Sequence, residues 1–419
     1  MRRSTGVTAA LVFGLVLAGC GGGSETSDDT PETADNDAAE ETPEESGGSL
    51  TIWVDETRST ALPSTVEEFE EDTGATVELV EKNFDDIRPD FLAQAPTGEG
   101  PDLTVGAHDW LGELTANGVV EPVELGDLAD DLTEAAVSAF TYDGQIYGMP
   151  YSVENPALIR NDDIVDETPD TWDELLDQVE ALDVEYPFLI QVDEEGDPYT
   201  MYPFQTTFGA PVFEQDADGS YTTELALGGD EGLEFANFLR DMGERGIFDT
   251  AITYDVALEA FSNGESPYIV GGPWMIDDFK QAELDVSIHD IPPAGDQPAR
   301  PFAGVQGFYL SSQSENKLLA MEFMTEYVAS EEAQLAIYEA GNRPPALATA
   351  AEAISSDPIA QGFAEVGAEA APMPAIPEMG SVWAFWGVTE AAIISGAQEP
   401  EEAWEGMVSN IEDAIAEEE

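Results

Sequence analysis

The chain has 419 residues and carries 89 Asp and Glu against 12 Lys and Arg, a formal net charge of −77. Such an excess of acid excludes nucleic acid and anionic lipid headgroups as partners, because both are polyanions. A single cysteine excludes an internal disulfide framework and a cysteine-based metal site.

Residues 1–20 read as an export signal: Arg2 and Arg3 form its charged start, and the apolar run 7–18 is too short to span a bilayer. Small residues ahead of Cys20 resemble a lipobox, so Cys20 is the expected site of lipid attachment. Residues 21–48 are Gly, Ser, Thr, Pro and acids with no large apolar side chain. They cannot bury enough surface to offset their ordering entropy, and a disordered acidic tether is expected. The roughly 370 residues that follow suggest two domains. Acids are spread through that whole body while apolar content stays ordinary at 42%. The economical explanation is a halophile, since molar salt shortens the Debye length to ~3 Å and screens the self-repulsion.

The body opens with a strand at 50–54. Ser64-x-x-Glu67 reads as a capping box for a helix running to Asp72, with Gly74 at its end, and a second strand follows at 75–80. Strand–helix–strand in that span is a βαβ unit and predicts a parallel sheet with crossover helices. A third strand at 102–105 runs into Gly106, His108, Asp109 and Trp110, at the carboxyl end where ligands gather in open α/β sheets. Asp55 and Arg58 follow the first strand in the same way. Residues 142–145 predict a hairpin turn, with Glu154 in the extended run beyond it. Thr171-x-x-Glu174 caps a helix, 188–192 predicts a strand, and Asp197 and Tyr199 sit in the turn before an aromatic-rich helix. A helix is expected at 228–246 and a short strand at 267–270, ending in a glycine turn that carries Trp274. Two more helices follow at 316–329 and 330–340, the second with Ser330 as its N-cap. Near the end, PMPAIPEMGSVWAFWG (372–387) places three prolines ahead of Trp383, Phe385 and Trp386. Proline lacks an N–H and fixes φ, so this is a stiff loop delivering rings into a helix that begins near Trp383.

Catalysis finds little support. There are two histidines, and no HExxH, GxSxG or GxxxxGK spacing. With 89 acids, pairs of carboxylates arise by chance, and His108 reads as a hydrogen-bonding, structural histidine. The informative set is carboxylates and rings at strand ends from distant segments. Asp55, Arg58, Asp109, Glu154 and Asp197 offer charged partners for hydroxyls, and Trp110, Tyr199, Trp274 and Trp383 offer faces for sugar C–H groups.

These residues lie in strings that resemble the maltose/maltodextrin-binding proteins of ABC importers over nearly the whole body. The strings include FEEDTGATVE, GEGPDLTVGAHDWLGELTANGVVEPV, YDGQIYGMPYSVENPALIRN, TPDTWDEL, GGPWMIDDF, RPFAGVQGF and MPAIPEMGSVWAFWG. The resemblance implies an α/β, two-lobed periplasmic-binding-protein-like fold of type II, each lobe a mostly parallel sheet flanked by helices, with the ligand cleft between lobes. The implied lobes are 49–152 plus 307–352 and 155–302 plus 358–419. It implies that Asp109 and Glu154 bind glucosyl hydroxyls, that Asp197 and Tyr199 form an acidic and stacking pair, that Trp274 and Trp383 stack, and that Met373 lines the cleft with Trp386 nearby. Gly106 and Trp110 depart from the family pattern, which often has a Trp and an Arg there, and Gly387 falls where another Arg can stand. The function implied is capture of a maltodextrin-type oligosaccharide and delivery to the permease subunits, by a lipid-anchored, extracellular monomer without cofactor or enzymatic activity. The same role for trehalose, sucrose or another oligosaccharide stays open, as does a secreted glycoside hydrolase.

Overall fold

A computed structural model describes residues 47–216 and 221–418. The expected export signal, the lipobox at Cys20 and all but the last two residues of the expected tether lie outside the described residues. Gly48 already belongs to the fold, since its carbonyl accepts the Thr76 N–H at 3.1 Å.

Nine strands position the site: β1 (Ser49–Val54), β2 (Thr76–Glu81), β3 (Leu103–Ala107), β4 (Gly148–Glu154), β5 (Ala157–Asn161), β6 (Tyr268–Gly271), β7 (Val286–His289), β8 (Phe302–Leu310) and β9 (Ala371–Pro372). The main sheet runs β9-β8-β3-β1-β2, with β4 also paired to β8. β1 is parallel to β2 and β3, as the βαβ reading predicts, while β8 is antiparallel to both β3 and β4. The helix Pro63–Thr73 ends at Gly74, which turns into the left-handed region at φ 68° and returns its N–H to the Glu70 carbonyl. Its start differs from the predicted capping box. A short helix, Glu56–Ala61, precedes it, and Pro63 takes the first helical position, so Ser64 lies inside the helix.

The second sheet corrects the expectation of a mostly parallel sheet in each lobe. Its order is β6-β5-β7, and β5 is antiparallel to both neighbours. β5 follows β4 directly, through Asn155 and Pro156, and so runs against the strands that return from later helices. The strand predicted at 188–192 reduces to one parallel bridge, Leu189 to Ile269, at the edge of β6.

Side-chain alternation assigns each strand face to a core. Leu158, Tyr268 and Val270 enter one cluster, while Ala157, Ile159 and Ile269 enter another on the opposite face. The main sheet builds a separate core from residues between Leu50 and Tyr151 and between Val305 and Ala350. The chain therefore passes between cores at 151–157, at 302–305 and at 350–360. The second passage lies inside β8, whose Phe302 packs in one core and whose Phe308 packs in the other. Among the described residues no helix is long and apolar enough to cross a membrane.

Candidate functional site

The predicted residues are delivered by the ends of these elements. β3 ends at Ala107 and passes into a single 3-10 turn, His108–Trp110. His108 locks that turn in place. The Val305 N–H donates to its Nδ1 at 3.0 Å, which leaves Nε2 protonated and donating to the Met373 carbonyl at 3.1 Å. Burial pushes its pKa down to about 4, so the ring is neutral and structural. Asp109, 8% exposed, is thereby aimed at the helix Met379–Ile394, where the Trp383 Nε1–H donates to its Oδ2 at 3.1 Å. Its Oδ1 is buried without a partner. Burial raises this carboxyl to about 6 against the pull of Arg88 and the Trp383 bond.

Glu154 closes β4. Its Oε2 accepts from Arg343 Nε and its Oε1 from Gln306 Nε2 at 3.1 Å. The Arg343 guanidinium lies 5.4 Å from the centroid of Trp274, on the 3-10 turn Pro273–Met275 after β6. Tyr199, in the first turn of the helix Pro198–Thr207, lies between Trp274 and Phe302 with ring centroids 6.2 and 6.1 Å away. Its hydroxyl is buried without a partner. Trp383 stacks on Trp386 at 5.5 Å. Asp109, Glu154, Tyr199, Trp274 and Trp383 thus form one constellation drawn from five segments.

Other predicted residues do different work. Asp197 is the N-cap of Pro198–Thr207, accepting the Thr200 N–H at 3.2 Å and a Gln191 amide N–H, so its oxygens are engaged. Trp386 is fully buried in the second core, behind Trp383, and Met373 is buried there too. Trp110 packs on Phe84 with centroids 5.1 Å apart, and its ring covers Gly106, where an added Cβ would lie 2.5 Å from the indole. Asp55 caps the helix Glu56–Ala61 and pairs with Arg58, whose guanidinium is wholly buried 5.1 Å from the Tyr151 ring. Gly387 meets the backbone of Glu195 and Gly196 so closely that no side chain fits there.

Sequence reasoning missed Arg343 and Gln306. Arg343 was legible in one respect: in a chain with twelve cations, each Arg is a scarce resource, and this one sits in Asn342-Arg343-Pro344-Pro345 at a helix end. The surface depression lined by Glu68, Asp72, Glu322 and Tyr327 contains none of these residues.

The fold carries separate hydrophobic cores, and carboxylates and aromatic rings from five segments gather beside the passages between them. The "Thermus thermophilus maltotriose binding protein bound with maltotriose" superposes with a TM-score of 0.80 at 34% identity, over 87% of this chain and all of that one. A maltotriose-binding protein of Pyrococcus abyssi is 29% identical over 343 residues, 78% of this chain and 72% of its own length. A galactooligosaccharide-binding protein of Bacillus subtilis is 25% identical over 370 residues, 85% and 87% of the two chains. Residues 64–362 match the family described as bacterial extracellular solute-binding protein, and the chain belongs to that family. It has the periplasmic-binding-protein fold and is not an enzyme, which removes the glycoside hydrolase alternative.

Proposed function

We propose that the chain is the maltodextrin-binding component of an ABC importer, holding its oligosaccharide in a cleft between two lobes and passing it to the permease. The observation that carries this reading is the constellation of Asp109, Glu154, Tyr199, Trp274 and Trp383, which combines hydroxyl partners with ring faces. Acids bind sugar hydroxyls while rings cover C–H faces. The lobes in this reading are 49–152 plus 307–352 and 155–302 plus 358–419, and the separate cores support such a division. Ligand bound to both lobes would favour the closed state in proportion to its differential affinity for it. Asp55, Arg58 and Trp110 support the floor of the cleft, and Asp197, Met373 and Trp386 stand behind its rings. A lipid on Cys20 would hold the protein at the outer face of the membrane, in an organism that lives at high salt.

Tryptophan fluorescence tests the reading, by titration with maltose, maltotriose, trehalose, sucrose and a galactooligosaccharide in about 3 M salt, where repulsion is screened. Saturation by maltotriose is the expected result, with Trp274→Ala and Trp383→Ala each weakening it about tenfold or more, the equivalent of one lost ring contact and its area. The second reading, another oligosaccharide, is favoured by the likeness to a galactooligosaccharide-binding protein. Saturation by a different sugar alone would select it. No response to any of the five from folded protein would end the saccharide reading.

A further inference from the structure

Buried polar groups are almost always hydrogen-bonded, so several unpartnered ones converging at one place mark a missing partner. Around Glu154 they are Arg343 Nη1, the Tyr199 hydroxyl and Gln306 Oε1, and Asp109 Oδ1 in the same constellation is likewise unpartnered. Arg343 is the cation among them. Its side chain is 12% exposed, it donates through Nε to Glu154, and its guanidinium lies beside Trp274. Arg58 also has unpartnered nitrogens, but it is wholly buried under Tyr151 and out of reach of a ligand.

The Arg343 backbone is held on both sides. Asn342, in the left-handed region at φ 52°, ends the helix Glu331–Gly341; its side chain accepts from Lys280 at 2.6 Å and donates to Asp277 at 2.8 Å. The Pro344 carbonyl accepts the Val153 N–H at 2.8 Å, next to Glu154 in β4. A backbone held on both sides and a side chain anchored through Nε suit recognition, because little ordering is left to do when ligand arrives.

Resting on the saccharide reading above, we infer that Arg343 is a specificity-determining residue of the cleft, its Nη1 donating to one sugar hydroxyl while Glu154, held by its Nε, accepts from the neighbouring one. An arginine bound to a carboxylate offers a donor and an acceptor side by side, the pattern that a vicinal diol completes. Trp274 beneath the guanidinium would carry the same sugar ring. The rival is a purely structural role, in which Arg343 only neutralises Glu154.

The two roles separate in the full chain at about 3 M salt, titrated with maltotriose and with monodeoxy maltotrioses that each lack one hydroxyl. Arg343→Lys retains the charge beside Glu154 but loses the planar fork. Arg343→Gln retains one N–H for Glu154 and has nothing at Nη1, and it serves where the lysine variant fails to fold. The expected result is a loss of tenfold or more for maltotriose in either folded variant. At least one deoxy analogue that wild type rejects should then bind the variant as well as maltotriose does. Wild-type affinity in both variants, or deoxy penalties unchanged from wild type, would overturn the assignment and leave the saccharide reading intact. Failure of wild type to bind any sugar would overturn the saccharide reading itself.

Discussion

Asp109 and His108 are neighbours that burial drives in opposite directions. Loss of solvent raises the Asp109 carboxyl from 3.8 to about 6 and lowers the His108 ring from 6.5 to about 4. Asp109 takes up its proton more readily in the folded chain than in the unfolded one. Its contribution to stability is therefore complete below pH 4 and is lost as pH rises through about 6. His108 resists protonation in the fold, so its contribution is present above pH 6.5 and lost as pH falls through about 4. Over one window the two oppose each other and largely cancel. Asp109→Asn removes the first. Its stability relative to wild type should rise by about 3 kcal/mol between pH 4 and pH 7, the equivalent of about two pK units. His108→Gln, which can still accept from Val305 and donate to Met373, should move the difference the other way. Denaturant unfolding of the three proteins at both pH values measures this, and a pH-independent difference would refute it. The residue chemistry was partly legible in sequence. His108 reads as structural from its place in a strand-end loop, and both its nitrogens are taken up by backbone groups. That Asp197 would spend its oxygens on a helix cap was less visible, because Asp-Pro-Tyr reads equally as a cap or as a ligand partner.

Elements meet in this fold through glycine, which is why strand order was harder to foresee than strand position. The strands 49–54, 76–81 and 103–107 announce themselves by apolar, β-branched runs. β8, the hub of the main sheet, reads FAGVQGFYL, and its two glycines look like interruptions. Their reason is tertiary. A Cβ on Gly307 would run into the Phe140 ring, and one on Gly304 would lie 2.9 Å from the Tyr199 hydroxyl and 3.1 Å from Glu154 Cγ. The same explanation covers the departures from the family pattern. Gly106 leaves room for the indole of Trp110, so in this chain the glycine and the tryptophan fit each other. Gly387 lets the helix Met379–Ile394 meet the 195–196 backbone, and Gly112 lets the helix Leu111–Ala116 meet Ala375, Ile376 and Pro377. Backbone on backbone has no rotamer through which to yield. Gly387→Ala should therefore cost about 1–3 kcal/mol or more, and thermal melting should show it. Gly406→Ala, where an added methyl meets open space within a helix, is the control and should hold or raise the melting temperature. Equal effects from the two substitutions would mean that the close approach carries no energetic weight.

At the scale of the whole molecule, electrostatics outweighs any single contact. Twelve Lys and Arg can pair with at most a small share of the 89 acids. Several of the ion pairs that do form are placed where they shape the structure. Arg58 is buried beside Asp55, Arg343 lies largely covered beside Glu154, and Lys317 ties Glu121 to the helix Lys317–Glu322. The remaining acids repel one another, and that repulsion reaches about 10 Å at 0.1 M salt but only about 3 Å at 1 M. Melting temperature should accordingly climb steeply between about 0.1 and 1 M KCl and more gently beyond, as screening nears completion. Trimethylamine N-oxide, a non-saccharide osmolyte that favours compact states by exclusion from the surface and carries no net charge, separates the causes. If that osmolyte at matched osmolality reproduced the rise, the benefit of salt would come from solvent exclusion. If the melting temperature were flat in KCl, the fold would tolerate its charge unaided. A neutral sugar adds no charge on binding, so among conditions in which the protein is folded its affinity should change little with salt. A steep salt dependence of affinity would instead show that binding brings acidic surfaces together, as closure of the proposed cleft would, and that screening assists it.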